Sequence, residues 1–291
     1  MAVKELTPYL TEELDFFTDD GTKIFYRIYR PLSRKKISRI LVVHHGFGEH
    51  SGRYGNLLRS MENTGTAIYL LDARGHGRSG GKRGHVKRFF DFLDDLDTLI
   101  RIAIRNEKIP KVYLLGHSMG GLIALAYAET GTNQGNLYGL IASSPALRVH
   151  LNLAMKVKKF VATTLAEFLP ETTLPAGLDV SHLSHDTLVG EAYVKDPLVH
   201  GDVSFRLGSI LLNAGDPVIE SADNIRVPTY VFHGREDQIA NFAGSVDYYN
   251  NLVMPDKKLN IYDNMRHETM NEYPKDRDRV LSDLSSWLDH H

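Results

Sequence analysis

Apolar residues along the chain follow two rhythms. Glu13–Phe17 and Lys23–Tyr29 alternate apolar with polar positions around the turn residues Asp19-Asp20-Gly21, which predicts a half-buried β-hairpin. Arg39–His44 is instead a nearly continuous apolar, β-branched run, the mark of a strand covered on both faces. Runs of the same kind follow at Ala67–Leu71, Lys111–Leu115 and Leu137–Ala142, and again at Pro228–Phe232 and Lys258–Tyr262. Between the strands the spacing changes to threes and fours. Phe89, Phe92, Leu93, Leu96, Leu99, Ile100 and Ile104 fall on one helical face, and Asp276–Leu288 predicts a closing helix. Strand alternating with helix predicts a mostly parallel sheet covered by helices on both faces.

The alternation lapses from Leu147 to Ser204, where helix-like segments occur without a convincing buried strand. The expected organisation is one α/β core, residues 1–146 and 205–291, interrupted by an inserted cap at 147–204. A single interrupted unit suits this layout better than two independent domains. Composition adds exclusions. A net charge of −2 lacks the positive field that a general nucleic-acid binder exploits. No apolar run reaches the ~18 residues that span a bilayer, and Met1–Asp20 holds no run of signal-peptide length. The expected location is therefore cytoplasmic. The absence of cysteine removes thiol nucleophiles, zinc ribbons and iron–sulfur clusters. A covalent catalyst built on this chain must use an oxygen or an amine.

Two segments match G-x-S-x-G: Gly77-Arg78-Ser79-Gly80-Gly81 and Gly116-His117-Ser118-Met119-Gly120. The pattern carries chemistry only where a buried strand precedes the serine and a helix follows it. Ser118 has Val112-Tyr113-Leu114-Leu115 before it and the small, apolar Gly121–Tyr127 after it. Ser79 follows a glycine-rich loop and precedes Lys82-Arg83-Gly84, which starts no helix. Ser118 is the expected nucleophile. A serine that attacks a carbonyl needs donors for the developing oxyanion. The Met119 backbone N–H is one. The second is expected from His45-Gly46-Phe47-Gly48, the loop after an earlier strand, through the Phe47 backbone N–H.

The acid and base of such a site follow the serine in that order, each after a strand. After Pro228–Phe232 comes His233-Gly234-Arg235-Glu236-Asp237, and after Lys258–Tyr262 comes Asp263-Asn264-Met265-Arg266-His267. His267 is the expected general base and Asp237, preferred over Glu236, the acid that orients it. His44, His45, His50, His76 and His85 crowd the N-terminal loops, but no H-E-x-x-H or equivalent spacing is present. No metal and no cofactor are expected.

These strings resemble a known family. His45-Gly46-Phe47-Gly48-Glu49-His50-Ser51-Gly52-Arg53-Tyr54, Asp72-Ala73-Arg74-Gly75-His76-Gly77-Arg78-Ser79-Gly80 and Gly116-His117-Ser118-Met119-Gly120-Gly121 are similar to segments of monoacylglycerol lipases and lysophospholipases of the α/β-hydrolase fold. Ala192-Tyr193-Val194-Lys195-Asp196-Pro197-Leu198 is similar to the segment that closes their cap. The resemblance runs over nearly the whole chain. It implies an eight-stranded sheet with a lipid-accepting helical cap. It also implies Ser118, Asp237 and His267 as the triad and Phe47 and Met119 as oxyanion donors. Glu49 and Arg53 match positions that brace the loop near the polar end of the substrate. Phe47 departs from the small residue usual there, so its ring is expected to narrow the pocket. Asn264–Glu268 resembles the bacterial members.

The expected function is a serine hydrolase cleaving the acyl ester of a monoacylglycerol or lysophospholipid through an acyl-enzyme. A short-chain carboxylesterase or thioesterase is the alternative with the same chemistry, and a non-catalytic binding protein on a hydrolase scaffold the alternative without it. In the insertion, Leu153, Val157, Phe160, Val161, Leu165, Phe168 and Leu169 share a helical face, with Lys156, Lys158 and Lys159 on the other side. A basic amphipathic helix of this kind predicts transient contact with an anionic membrane, against the commoner reading of a stripe packed on its own protein.

Overall fold

The computed structural model describes residues 9–32, 36–150 and 163–291. The strands, in chain order, are β1 (Tyr9–Phe17), β2 (Lys23–Pro31), β3 (Arg39–His44), β4 (Thr66–Leu71), β5 (Val112–His117), β6 (Leu137–Ser143), β7 (Thr173–Pro175), β8 (Asp202–Ser204), β9 (Thr229–Gly234) and β10 (Lys257–Tyr262). Eight of them form one sheet in the order β1-β2-β4-β3-β5-β6-β9-β10. Only β2 runs against the others: it is antiparallel to both β1 and β4, and the remaining pairs are parallel.

The continuous apolar runs are explained by the two faces they serve. Ile40 and Val42 of β3 join a core with Phe92, Leu96, Leu99 and Ile100 of the helix Phe89–Glu107. Their neighbours Leu41 and Val43 point the other way, into a core with Val280, Leu284 and Trp287 of the helix Pro274–His290. Alternate side chains leave opposite faces of a strand. A strand between two helical layers therefore needs apolar residues at every position. Each fully buried Leu, Ile or Val stabilises the fold by about 1.5–3 kcal/mol.

The hairpin forms and β2 is half-buried as expected, but β1 is not. Only Tyr9 of β1 is buried. As the outermost strand, β1 is held laterally by β2 alone, and charge pairs assist: Arg27 Nε donates to Glu13 Oε1 at 3.0 Å, and Arg30 pairs with Glu12.

The insertion leaves the sheet after β6 and returns at β9. It carries the helix Thr187–Lys195 and the two-stranded antiparallel ribbon β7–β8. The ribbon strands are three residues each and mostly exposed, so they left no buried-strand pattern in the sequence. Leu153, Lys156, Val157, Lys158, Lys159, Phe160 and Val161 lie outside the described residues. Of the stripe they predicted, Leu165 is half-buried, and Phe168 and Leu169 are exposed. Among the described residues no helix is long and apolar enough to cross a membrane.

Candidate active site

The site gathers where β3, β5, β9 and β10 end, as ligand sites of parallel sheets do. Ser118 stands between β5 and the helix Met119–Ala128 with φ 55° and ψ −118°. Such backbone is costly for a non-glycine residue, about 1–3 kcal/mol, and persists only where the surroundings enforce it. Here they do. The Ser118 N–H donates to the Ser143 carbonyl at 2.9 Å, and the Ser118 carbonyl accepts from Leu122 and Ala146. A side chain at Gly120 would collide with the carbonyl of His44, so glycine there lets the helix close onto β3. The turn lifts Ser118 onto the wall of a cavity that Phe47, Leu183, Tyr193 and His267 also line.

His267 and Asp237 meet across 30 residues of sequence: His267 Nδ1 lies 2.6 Å from Asp237 Oδ2. Asp237 Oδ1 accepts the N–H groups of Ile239 at 2.7 Å and Ala240 at 2.9 Å. The neighbouring Glu236 is exposed and contacts His185 instead. Burial would raise the Asp237 pKa, but the charge of His267 and hydrogen bonds from His233 and His267 hold it far below the usual carboxylate range. Burial disfavours a charged His267, yet the Asp237 carboxylate and its hydrogen bond leave the pKa of His267 above the ordinary value. Among the described residues no hydrogen bond links the Ser118 hydroxyl to His267. The two meet as walls of one cavity, and bonds of this kind often tighten only around substrate.

Met119 opens its helix, where first-turn N–H groups lack intrahelical partners. The Phe47 loop lies against the serine: a Cβ on Gly46 would stand 3.2 Å from the Ser118 Cβ. Glu49 pins this loop, its Oε1 accepting the Gly46 N–H at 2.7 Å and the Tyr54 hydroxyl at 3.0 Å. Glu49 Oε2 takes Arg53 Nη1 at 2.8 Å. Burial opposes the Glu49 charge, but chiefly Arg53 brings its pKa down to about 2. The Phe47 ring sits edge-on to both His76 and His200, at 5.7 and 5.6 Å, and Phe47 still lines the cavity.

Several site residues went unread in the sequence. Glu268 forks onto Arg53, and Tyr193 lies under the Arg53 guanidinium at 4.8 Å. The His117 ring lies 4.9 Å from that of His267, and burial followed by the charge of His267 pushes its pKa down to about 4. His233 touches Asp237 from behind. The signal for Glu268 and His117 was their adjacency to His267 and Ser118. Tyr193 stood only within the cap-like string Ala192–Leu198, and His233 had no signal before folding. Ser79 is structural: its Oγ accepts the Phe25 N–H at 2.8 Å and donates to the Asp72 carbonyl. Of the loop histidines, His45 Nε2 accepts the Ala73 N–H at 2.8 Å, and His50 Nε2 meets Asp196 at 2.9 Å. Among the described residues no group of three or more His, Asp or Glu is placed to hold a metal ion.

A serine forced into a strand-to-helix turn on this eight-stranded sheet defines a serine hydrolase of the α/β-hydrolase fold. The chain belongs to the family described as serine aminopeptidase, S33, which matches residues 35–274. It is 33% identical over 272 residues to the monoacylglycerol lipase of Mycolicibacterium smegmatis, covering 93% of this chain and 94% of that one. Among solved structures it is similar to a monoacylglycerol lipase of Paleococcus ferrophilus, at 30% identity and a TM-score of 0.79, covering 96% of this chain and 98% of that one. A soluble variant of the Saccharomyces cerevisiae monoglyceride lipase, in complex with a substrate analogue, superposes with a TM-score of 0.87 at 25% identity over 99% of this chain and 97% of that one.

Proposed function

We propose that this hydrolase cleaves the acyl ester of monoacylglycerols through an acyl-enzyme on Ser118. The observation that carries the reading is the buried His267–Asp237 pair at 2.6 Å, on the cavity that Ser118 faces. His267 takes the Ser118 proton as Oγ attacks the ester carbonyl. The Phe47 and Met119 N–H groups receive the oxyanion. Collapse breaks the ester bond, and His267 returns the proton to the departing glycerol oxygen. Water then repeats the sequence on the acyl-enzyme and releases the fatty acid. Asp237 holds the ring and stabilises its positive form.

The polar end of the cavity favours a neutral, hydroxyl-bearing head group over a phosphate. Arg53 is the one cation in a buried trio with two carboxylates, Glu49 and Glu268. Its charge is already matched, and an added anion would meet a net negative wall. Residues 147–204 serve as the cap in this reading. Transient contact of the cap with a lipid surface is supported by Phe168, Leu188 and Val194, exposed by 78%, 66% and 68%. The test is release of glycerol and fatty acid from monooleoylglycerol. Wild type should turn over and Ser118→Ala should not; an inactive wild type rejects the proposal.

A further inference from the structure

Of the buried histidines that the steps above leave unused, His233 is the one hydrogen-bonded to the Asp237 carboxylate. His233, in β9, is fully buried. Its Nε2 lies 2.8 Å from Asp237 Oδ2, the same oxygen that His267 Nδ1 meets at 2.6 Å. Its Nδ1 lies 2.8 Å from the hydroxyl of Ser245, a buried residue on the helix Phe242–Asn251. The partners fix the tautomer. An ionised carboxylate only accepts, so Nε2 carries the hydrogen, and the Ser245 hydroxyl donates to Nδ1. The Ala240 carbonyl, 3.2 Å from Nε2, also requires the hydrogen there. Asp237 thus receives four N–H groups: Ile239 and Ala240 on Oδ1, His233 and His267 on Oδ2.

A carboxylate oxygen shared between two donors is a weaker acceptor for each. We propose that His233, held in one tautomer by Ser245, is a positioning residue that fixes Asp237 from behind and limits how strongly Asp237 supports the charged form of His267. The proposal rests on the triad reading above. It extends the chain of contacts from His267 through Asp237 and His233 to Ser245, with His233 acting only through Asp237.

The other groups that face the base stay in place when His233 changes. His267 is faced by the Asp237, Glu268 and Glu49 carboxylates, which favour its charged form, and by the neighbouring His117 ring. Asp237 is faced by His233 and His267, and its backbone carbonyl by His150 Nε2 at 2.9 Å. In His233→Leu the Oδ2 lone pairs serve His267 alone. The imidazolium is then favoured more strongly, and His267 becomes an available base only at higher pH. A role confined to packing would lower kcat without moving the pH dependence.

The experiment is the pH profile of kcat/KM for p-nitrophenyl butyrate, measured with the full chain as wild type, His233→Leu, His233→Gln and Ser245→Ala, with thermal melts alongside. The acid limb of His233→Leu should rise by about 0.5–1 pH unit. His233→Gln, whose amide N–H can still reach Oδ2, should keep the wild-type limb. Ser245→Ala, which frees the ring to change tautomer, should move it upward by less. An acid limb in His233→Leu that stays in place or falls overturns the proposal, whatever happens to kcat. If that variant does not fold, an unmoved limb in Ser245→Ala overturns it. Wild type without esterase activity, or Ser118→Ala retaining it, rejects the triad reading itself. An active wild type with unmoved variant limbs rejects only the role of His233.

Discussion

Arg53 clasps Glu268 across 215 residues of sequence with two parallel hydrogen bonds, Nη1 to Oε1 at 2.7 Å and Nη2 to Oε2 at 2.9 Å. The same Nη1 reaches Glu49 Oε2 at 2.8 Å. One guanidinium thereby ties the loop that carries Phe47 to the loop that carries His267. Arg53→Met would strand two buried carboxylates, a change that costs about 3–5 kcal/mol. Urea unfolding should show that loss at neutral pH, and adding Glu268→Gln should recover part of it. Arg53→Lys should recover less than the fork provides, because an ammonium cannot bind both oxygens in plane.

The trio also predicts a pH effect on stability. The Glu49 pKa is depressed to about 2, by Arg53 against the opposing effect of burial, so its stabilisation is present above the unfolded value of about 4.3 and is lost as pH falls toward the folded one. Chemical denaturation between neutral pH and pH ~3 should show a smaller loss in Glu49→Gln than in wild type.

Head-group charge gives a third test. Wild type should hydrolyse monooleoylglycerol far better than lysophosphatidic acid of the same chain. Glu268→Gln removes one negative charge from the cavity wall and should narrow the ratio on the order of tenfold, the size of a partly screened charge interaction at close range. An unchanged ratio would place the head group away from Arg53.

In the proposed mechanism His267, as the base, sets the pH dependence of catalysis. His267 must be neutral to accept the Ser118 proton, and burial notwithstanding, Asp237 holds its pKa above the ordinary value, which is about 6.5. Activity should therefore fall as pH drops through a point above that value. Asp237→Asn should lower kcat by on the order of 10⁴, as loss of the orienting acid does in triads of this kind.

The inserted segment, the proposed cap, packs against the loop that carries Phe47. The His200 N–H donates to the Gly48 carbonyl at 3.0 Å, and a Cβ at Gly48 would meet the His200 carbonyl at 2.5 Å and the Tyr193 hydroxyl at 2.8 Å. Gly48 also has φ +75°, where a side chain adds strain. Gly48→Ala should loosen the segment 193–200, seen as faster amide hydrogen exchange there, and should reduce activity on long acyl esters.

Legibility in the sequence followed locality. The run Arg39–His44 matched β3 to the residue, because a strand buried on both faces leaves no polar gap. Ser118 was separable from Ser79 because its strand and helix are its immediate neighbours. The pairing of Asp237 with His267 was legible by order along the chain. Arg53 with Glu268, and His233 with Asp237 and Ser245, depend on contacts made only when distant loops meet. The exposed strand β1 and the ribbon β7–β8 were misjudged or unseen because their periodicity reflects edges and not a core.

The central claim is that Ser118 is the activated nucleophile. Treatment of the full chain with a fluorophosphonate probe, followed by intact mass and peptide mapping, tests it directly. The expected result is one adduct on Ser118 in wild type, slowed in His267→Ala and absent in Ser118→Ala. A wild type that stays unlabelled, or a Ser118→Ala variant that still labels, would contradict the account.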